Sequence, residues 1–350
     1  MTRCLLFATE LYGLPVLRPL DAAIRASGGE AVWFAPASFA PHLAPHERLL
    51  ADADAVVGWR PDAVLAASNW VPQFFPGVKV QVFHGFSVDK RSPERGHFRI
   101  RGLFDLYCTQ GPSTTGPFKE LARSHGHFAV VETGWPKLDP LFAPDDGSAA
   151  SLRPADGRPT VLYAATFTET LSSARALHDE IAAQVARGDR YWLLTLHPKA
   201  DPALVASYRA LAGPNARFIE ADALVPALRA ADVLVCDTSS VVSEFVVQRK
   251  PVVTFRNRAP KPHMIDIGEP GDLEGALQRA FASDSALRRE LALYADAIHP
   301  WNDGRSSERV LRATEDFLAG RFGPLARKPA NFWRRLQMRS RLRSFGSATA

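Results

Sequence analysis

Short apolar runs of four to six residues recur along the chain, separated by stretches in which apolar side chains return at spacings of three and four. Unbroken runs fit strands buried on both faces of a parallel sheet, and the wider spacing fits helices laid across it. In the first half, residues 5–9, 31–35, 55–59, 63–67, 79–83, 104–108 and 128–132 read as strands. A helix is expected from the Gly13–Pro15 turn to Ser27, stopped by Gly28 and Gly29, and another over 112–124. The second half alternates more cleanly. Strands are predicted at 160–165, 191–196, 216–220, 233–236 and 251–255, with helices near 172–186, 203–212, 225–230, 273–282, 285–297 and 305–318. Between Phe142 and Pro159 the composition shifts to Asp, Gly, Ser, Ala and Pro without periodicity, which reads as a linker. The expected class is α/β, with two Rossmann-like domains whose parallel sheets face a central cleft. The boundaries implied are an N-terminal domain over 1–142, a linker over 143–159, a C-terminal domain over 160–320 and a tail over 321–350.

The stretch 232–247, D-V-L-V-C-D-T-S-S-V-V-S-E-F-V-V, concentrates the candidate chemistry. Its apolar run ends in Asp237, Thr238, Ser239 and Ser240, and a helical stripe of Val241, Val242, Phe245 and Val246 follows. A helix start offers free N–H groups and the positive end of its dipole, so hydroxyls there suit a phosphate; the alternative is that they simply cap the helix. Glu244, one turn in, either accepts from a ribose hydroxyl or faces solvent. Two further polar signals fall at strand ends, where open α/β sheets bind ligands. His84-Gly85 closes one strand, with Gly85 sparing bulk beside an imidazole suited to proton transfer near neutral pH. His197-Pro198-Lys199 closes another and brings a cation. Asp303-Gly304-Arg305-Ser306-Ser307 precedes the last helix and reads either as an anion-binding helix start or as a plain cap. The D-x-D at 52–54 precedes its strand, so its carboxylates fall at the wrong end of the sheet for a metal site. No P-loop, G-x-G-x-x-G or G-x-S-x-G is present.

Charge narrows the picture. The net charge is +5, yet after Asp316 there is no acid and eight cations follow: Arg321, Arg327, Lys328, Arg334, Arg335, Arg339, Arg341 and Arg343. The remainder is mildly acidic, so a basic body that coats nucleic acid is excluded. In 331–345, Phe332, Trp333, Leu336, Leu342 and Phe345 sit among these arginines, a composition that suits an anionic membrane surface; a solubilising tail or a short RNA-binding segment are the alternatives. No apolar run reaches the roughly 18–20 residues needed to span a bilayer, and the N-terminus reads as a first strand rather than a signal peptide. Cys4, Cys108 and Cys236 lie within apolar segments and lack metal-ligand spacing, so buried thiols in a reducing compartment are expected.

Six pieces in order, F-H-G (83–85), G-W-P-K-L-D (134–139), V-L-Y-A-A-T-F (161–167), L-H-P-K (196–199), A-D-V-L-V-C-D-T-S-S (231–240) and D-G-R-S-S-E-R-V (303–310), make the chain resemble the CDP-glycerol glycerophosphotransferase family, teichoic-acid polymerase-like enzymes with a GT-B fold. The resemblance implies transfer of glycerol phosphate from CDP-glycerol to a hydroxyl of a cell-surface glycan or lipid-linked acceptor, with release of CMP and no cofactor. It makes His84 the general base and places His197 at the donor phosphates. It assigns donor binding to Gly85, Thr166, Lys199, Asp237, Thr238, Ser239, Ser240 and Glu244, with Lys137, Asp139, Asp303, Ser306 and Ser307 as further candidates. It also implies a cytoplasmic enzyme, peripheral at the inner face of the membrane through its basic tail. The chain departs from the family pattern in three places. F-S-V-D-K follows H-G and displaces Lys90, A-T-F-T stands where P-T-W-R is usual, and Thr238 stands where a tyrosine is usual. Two other functions fit the same fold: a GT-B glycosyltransferase that uses a nucleotide sugar, and a non-catalytic protein that binds a glycan or lipid carrier.

Overall fold

The computed structural model describes residues 1–86, 96–144, 146–220 and 223–330, together with Met338, Leu342 and Phe345. Lys90, Phe332, Trp333, Leu336, Arg334, Arg335, Arg339, Arg341 and Arg343 lie outside the described residues. The chain folds as two units, Met1–Pro140 with Asp303–Ala350, and Leu141–Asn302.

The first unit is built on a six-stranded sheet of β1 (Arg3–Phe7), β2 (Glu30–Phe34), β3 (Ala63–Ala66), β4 (Val78–Gln81), β5 (Leu106–Thr109) and β6 (Ala129–Glu132). The order is β2-β1-β3-β4-β5-β6, and neighbouring strands run parallel. Both faces are covered, which is why most strands are apolar without alternation, while β4, V-K-V-Q, buries Lys79 and Gln81. Helices α1 (Leu14–Ala26), α2 (Ala53–Trp59) and α3 (Pro112–His125) belong to this unit. Helix α2 corrects the strand expected at 55–59. The run A-V-V-G-W has no period of its own, and the Asp52 side chain accepts the Ala55 N–H at 2.7 Å, so it starts a helix. The first carboxylate of the D-x-D is therefore a helix cap.

The four-residue α4 (Asp139–Phe142) leads from the first unit into the second. There the sheet comprises β7 (Thr160–Ala165), β8 (Tyr191–Leu196), β9 (Ala216–Phe218), β10 (Val233–Cys236), β11 (Val252–Phe255) and β12 (Met264–Ile267), in the order β12-β11-β10-β7-β8-β9. This is the Rossmann order, parallel throughout its pairs. Helices α5 (Ala174–Arg187), α6 (Pro202–Ala210), α7 (Leu224–Ala230), α8 (Val241–Val246), α9 (Leu273–Ala282) and α10 (Ser285–Ile298) complete it. Strand β12 was not expected, because M-I-D-I is short and follows a Pro/His-rich loop. The segment read as a linker belongs to this unit: Ala149 and Leu152 are buried, and Arg153 pairs with Asp232 at 2.6 Å.

The last helix, α11 (Ser306–Leu318), packs in the first unit rather than the second, contrary to the expected boundary. Asp139, 7% exposed, accepts the backbone N–H groups of Ser306 at 2.8 Å and Ser307 at 2.7 Å. A helix start bares N–H groups that need acceptors, and a carboxylate there also meets the positive end of the dipole. Burial raises the Asp139 carboxyl above its ordinary value, against the pull of these hydrogen bonds.

The tail differs from expectation as well. Met338 and Leu342 are buried in the core of the first unit. Phe345 stacks on Phe7 at 5.8 Å and lies 5.6 Å from Phe34. Lys328 pairs with Asp105 at 2.8 Å, and Arg321 pairs with Asp316. Leu342 and Phe345 therefore serve the domain core instead of a membrane-facing stripe, since burial among aromatic rings removes their apolar surface from water. Among the described residues no helix is long and apolar enough to cross a membrane.

Replacing Asp139 with alanine strands two buried N–H groups at the start of α11. The expected cost is about 2–4 kcal/mol, read by calorimetry as a melting point lowered by roughly 5–10 °C. A change within a degree would show that water replaces the carboxylate without loss.

Candidate active site

In the second unit the chain order reverses between β7 and β10, the switch point at which such sheets bind ligands. Asp237, the first residue after β10, is completely buried. Its carboxylate accepts the Thr166 N–H at 3.1 Å, the Ser173 N–H at 3.0 Å and the Ser173 hydroxyl at 3.1 Å. Burial raises its carboxyl above the ordinary value, and the bonds from Ser173 and Thr166 oppose that rise. Asp237 and Thr166, both expected to touch the donor, thus fix the loop 166–173 that follows β7. The Thr238 hydroxyl accepts the Arg258 N–H at 3.0 Å, tying the turn to the loop after β11. Ser239 accepts the Val241 N–H only weakly, at 3.4 Å, and exposed Ser240 makes no side-chain cap. The hydroxyl of Ser240 is therefore not consumed by the helix. Glu244 is 4% exposed, so it does not face solvent and offers a ligand little surface.

His197 follows β8 and is exposed. The Lys199 backbone N–H donates to its Nδ1 at 3.1 Å, so Nδ1 is the acceptor and the proton sits on Nε2. Burial, and then the Lys199 charge, push the imidazole below its ordinary value, which favours the neutral ring. Phe167, 46% exposed at the end of β7, lies 4.4 Å from the His197 ring, with the Lys199 ammonium 5.7 Å from its centroid. Phe167 was not among the expected site residues, although a large exposed aromatic within a motif piece was a signal for it.

In the first unit, Phe83 adopts a left-handed backbone (φ 58°), uncommon for a bulky residue, and turns the chain out after β4. Its ring stacks on His97 at 4.7 Å, and the Trp135 indole N–H reaches its carbonyl at 3.3 Å. His84 comes next and is exposed. Its Nδ1 lies 3.1 Å from the Ala67 carbonyl oxygen. A carbonyl can only accept, so Nδ1 carries the proton and the Nε2 of the neutral ring carries the lone pair. The two histidines are thus held in opposite tautomers. Tyr12 lies 5.0 Å from the His84 ring, and the Gln110 amide donates to the Gly85 carbonyl at 2.8 Å. A Cβ on Gly85 would meet open space, so crowding beside the imidazole does not explain that glycine.

The further candidates have structural partners. Lys137 lies 5.3 Å from the Trp135 ring centroid, on the residue that holds Phe83. Asp303 accepts the Arg305 N–H at 3.1 Å and pairs with Arg309. Asp139 occupies the N–H groups of Ser306 and Ser307, so the α11 start expected to take an anion is already filled. Trp135, Gln110 and Tyr12 escaped the sequence reading. Trp135 stood within a motif piece, but nothing local marks the others. Among the described residues no three histidine, cysteine or acidic side chains gather to hold a metal.

The family model of CDP-glycerol:poly(glycerophosphate) glycerophosphotransferase matches residues 78–259, a span that includes His84, His197, Ser239 and Ser240. A search of curated proteins returns no match. Among solved structures, the wall teichoic acid polymerase TagF is 14% identical, over 92% of this chain and 90% of that one, with a TM-score of 0.66. MnaA of S. aureus, solved with UDP, is 15% identical over 91% and 97%, with a TM-score of 0.64. The glycosyltransferase SnogD from Streptomyces nogalater is 16% identical over 90% and 100%, with a TM-score of 0.54. At such identities the likeness is one of fold, the GT-B type. With its family match covering more than half its length, the chain belongs to the CDP-glycerol:poly(glycerophosphate) glycerophosphotransferase family and is a transferase.

Proposed function

We propose that the protein transfers glycerol phosphate from CDP-glycerol to a hydroxyl of a cell-surface glycan or lipid-linked acceptor and releases CMP. The observation that carries this reading is the pair of oppositely poised histidines within the family-matched span. In the reaction the acceptor oxygen attacks the glycerol-bearing phosphorus in line. A new P–O bond forms, the bond to the CMP phosphate breaks, and CMP leaves with the electron pair. His84 Nε2, with its lone pair, takes the acceptor proton. His197 Nε2–H donates to a donor phosphate oxygen, while Lys199 and the Ser239 and Ser240 hydroxyls stabilise the charge that builds on departing CMP. Helix α8 has only six residues, so its dipole is small and the side chains carry more of that work. Phe167 offers a face for the nucleobase. Asp237, Thr166, Trp135 and Gln110 act as positioning residues.

The basic tail adds a proposed place of action, an anionic membrane surface. That role rests on its arginines, because Leu342 and Phe345 are engaged in the core.

CMP should stabilise the protein against heat. At about 100 times its dissociation constant the gain is roughly 2.7 kcal/mol, and changing Ser239 and Ser240 together to alanine should remove it. A shift that survives the double change, or one produced by UDP-sugars and not by CMP, would favour another donor site or sugar transfer.

His84→Ala should lower kcat by about a hundredfold or more while leaving donor affinity near that of wild type. Trp135→Phe, which keeps the packing but loses the bond to Phe83, should lower kcat by less and also spare donor affinity. Parallel loss of donor binding in His84→Ala would make this histidine a donor ligand instead.

For the tail, truncation would unpack Met338 and Leu342, so charge is the cleaner variable. Glutamine at Arg334, Arg335, Arg339, Arg341 and Arg343 should abolish co-flotation with anionic vesicles, since each cation contributes about 1 kcal/mol. Flotation unchanged by these substitutions would contradict the membrane role.

A further inference from the structure

The sheet of the first unit has its own switch point. In the order β2-β1-β3-β4-β5-β6, successive chain segments depart to opposite sides between β1 and β3. An open pocket of about 610 Å³ lies just there, lined by Thr9, Glu10 and Tyr12 after β1, Pro36 and Ser38 after β2, and Ser68, Asn69 and Trp70 after β3. Phe345 completes its wall. The volume falls within the range of small-ligand sites, roughly 300–1,000 Å³. The pocket adjoins the proposed base, because Tyr12 contacts the His84 ring and the Ala67 carbonyl that orients His84 immediately precedes Ser68.

Its chemistry is specific. Three hydroxyl side chains, a phenol, a carboxamide and a carboxylate surround two aromatic rings, which suits a molecule with many hydroxyls and an apolar face. Burial pushes the Tyr12 phenol above its ordinary value, so it remains a hydrogen-bond donor. Trp70 is braced edge-on against Phe7 at 5.2 Å and against Phe345 at 6.2 Å, which fixes the plane it presents. Among the described lining residues there is no lysine, arginine or histidine, and Glu10 adds a negative charge. A chain of glycerol phosphates carries one negative charge per unit. It would enter this pocket against Glu10 with no described cation in the lining to offset it.

We propose that this pocket binds the acceptor and that it takes an uncharged, polyhydroxylated glycan end rather than a polyanionic glycerol phosphate chain. The enzyme then adds glycerol phosphate to a neutral sugar hydroxyl, and the charged product is a poor acceptor for a second addition. The proposal rests on the donor reading above, and the two fail separately.

The test is direct binding of the full-length protein, without donor, to an array of neutral oligosaccharides, anionic oligosaccharides and an oligo(glycerol phosphate). Neutral glycans should bind, and Trp70→Ala should weaken them at least tenfold while Trp70→Phe restores most of the affinity. Glu10→Lys, at an exposed position, should raise affinity for oligo(glycerol phosphate) at least tenfold, and it keeps the test alive if Trp70→Ala does not fold. The CMP-induced thermal shift should be the same in the Glu10→Lys variant and in wild type, which separates this site from the donor site. Preference of the wild type for oligo(glycerol phosphate), binding of no glycan at all, or neutral binding untouched in Trp70→Ala would overturn the proposal.

Discussion

A parallel sheet buried on both faces leaves polar chemistry only the ends of its strands. Both units of this protein obey that constraint, and their functional candidates follow from it. Most of the strands are apolar runs, with V-K-V-Q in β4 and M-I-D-I in β12 among the exceptions, so polar residues beyond the strand ends are the ones placed to become a support or a ligand contact. Buried carboxylates show the first outcome. Asp237 closes the loop after β7, and Asp139 closes the start of α11. Each is raised by burial and held by backbone N–H groups, so neutralising or removing it would leave donors without partners. Exposed His84, His197, Lys199 and Ser240 are the residues to which the proposed function gives the second outcome.

The histidines illustrate how backbone groups set chemistry. The contacts at Nδ1 come from the main chain in both rings. A carbonyl faces one and an N–H faces the other, and this alone makes one Nε2 an acceptor and the other a donor. A proton acceptor for an incoming hydroxyl and a neutral donor for a phosphate oxygen are the two roles the proposed transfer needs. Phe83 holds the first ring out through a left-handed turn braced by Trp135, and Phe167 packs beside the second.

Most strands and helices were legible because hydrophobic period and strand burial coincide here. The exception at 55–59 arose where the apolar run lacked period, and the signal that would have corrected it was Asp52 as a cap. The family pieces were legible as spellings but not as roles. G-W-P-K-L-D and D-G-R-S-S-E-R-V are two halves of one joint whose partners lie 167 positions apart. Nothing local says that a carboxylate in one caps a helix in the other. The same blindness to distance made Leu342 and Phe345 look like a membrane face, when the first unit's core has room for them. Tautomers could not be read at all, since they depend on which backbone atom meets Nδ1.

The central claim is a chemical balance, and phosphorus-31 NMR of the protein incubated with CDP-glycerol and a bound acceptor tests it directly. The account predicts loss of the paired pyrophosphate signals with equal growth of one phosphomonoester, CMP, and one phosphodiester on the acceptor. Persistence of CDP-glycerol while a nucleotide sugar is consumed in its place would contradict it.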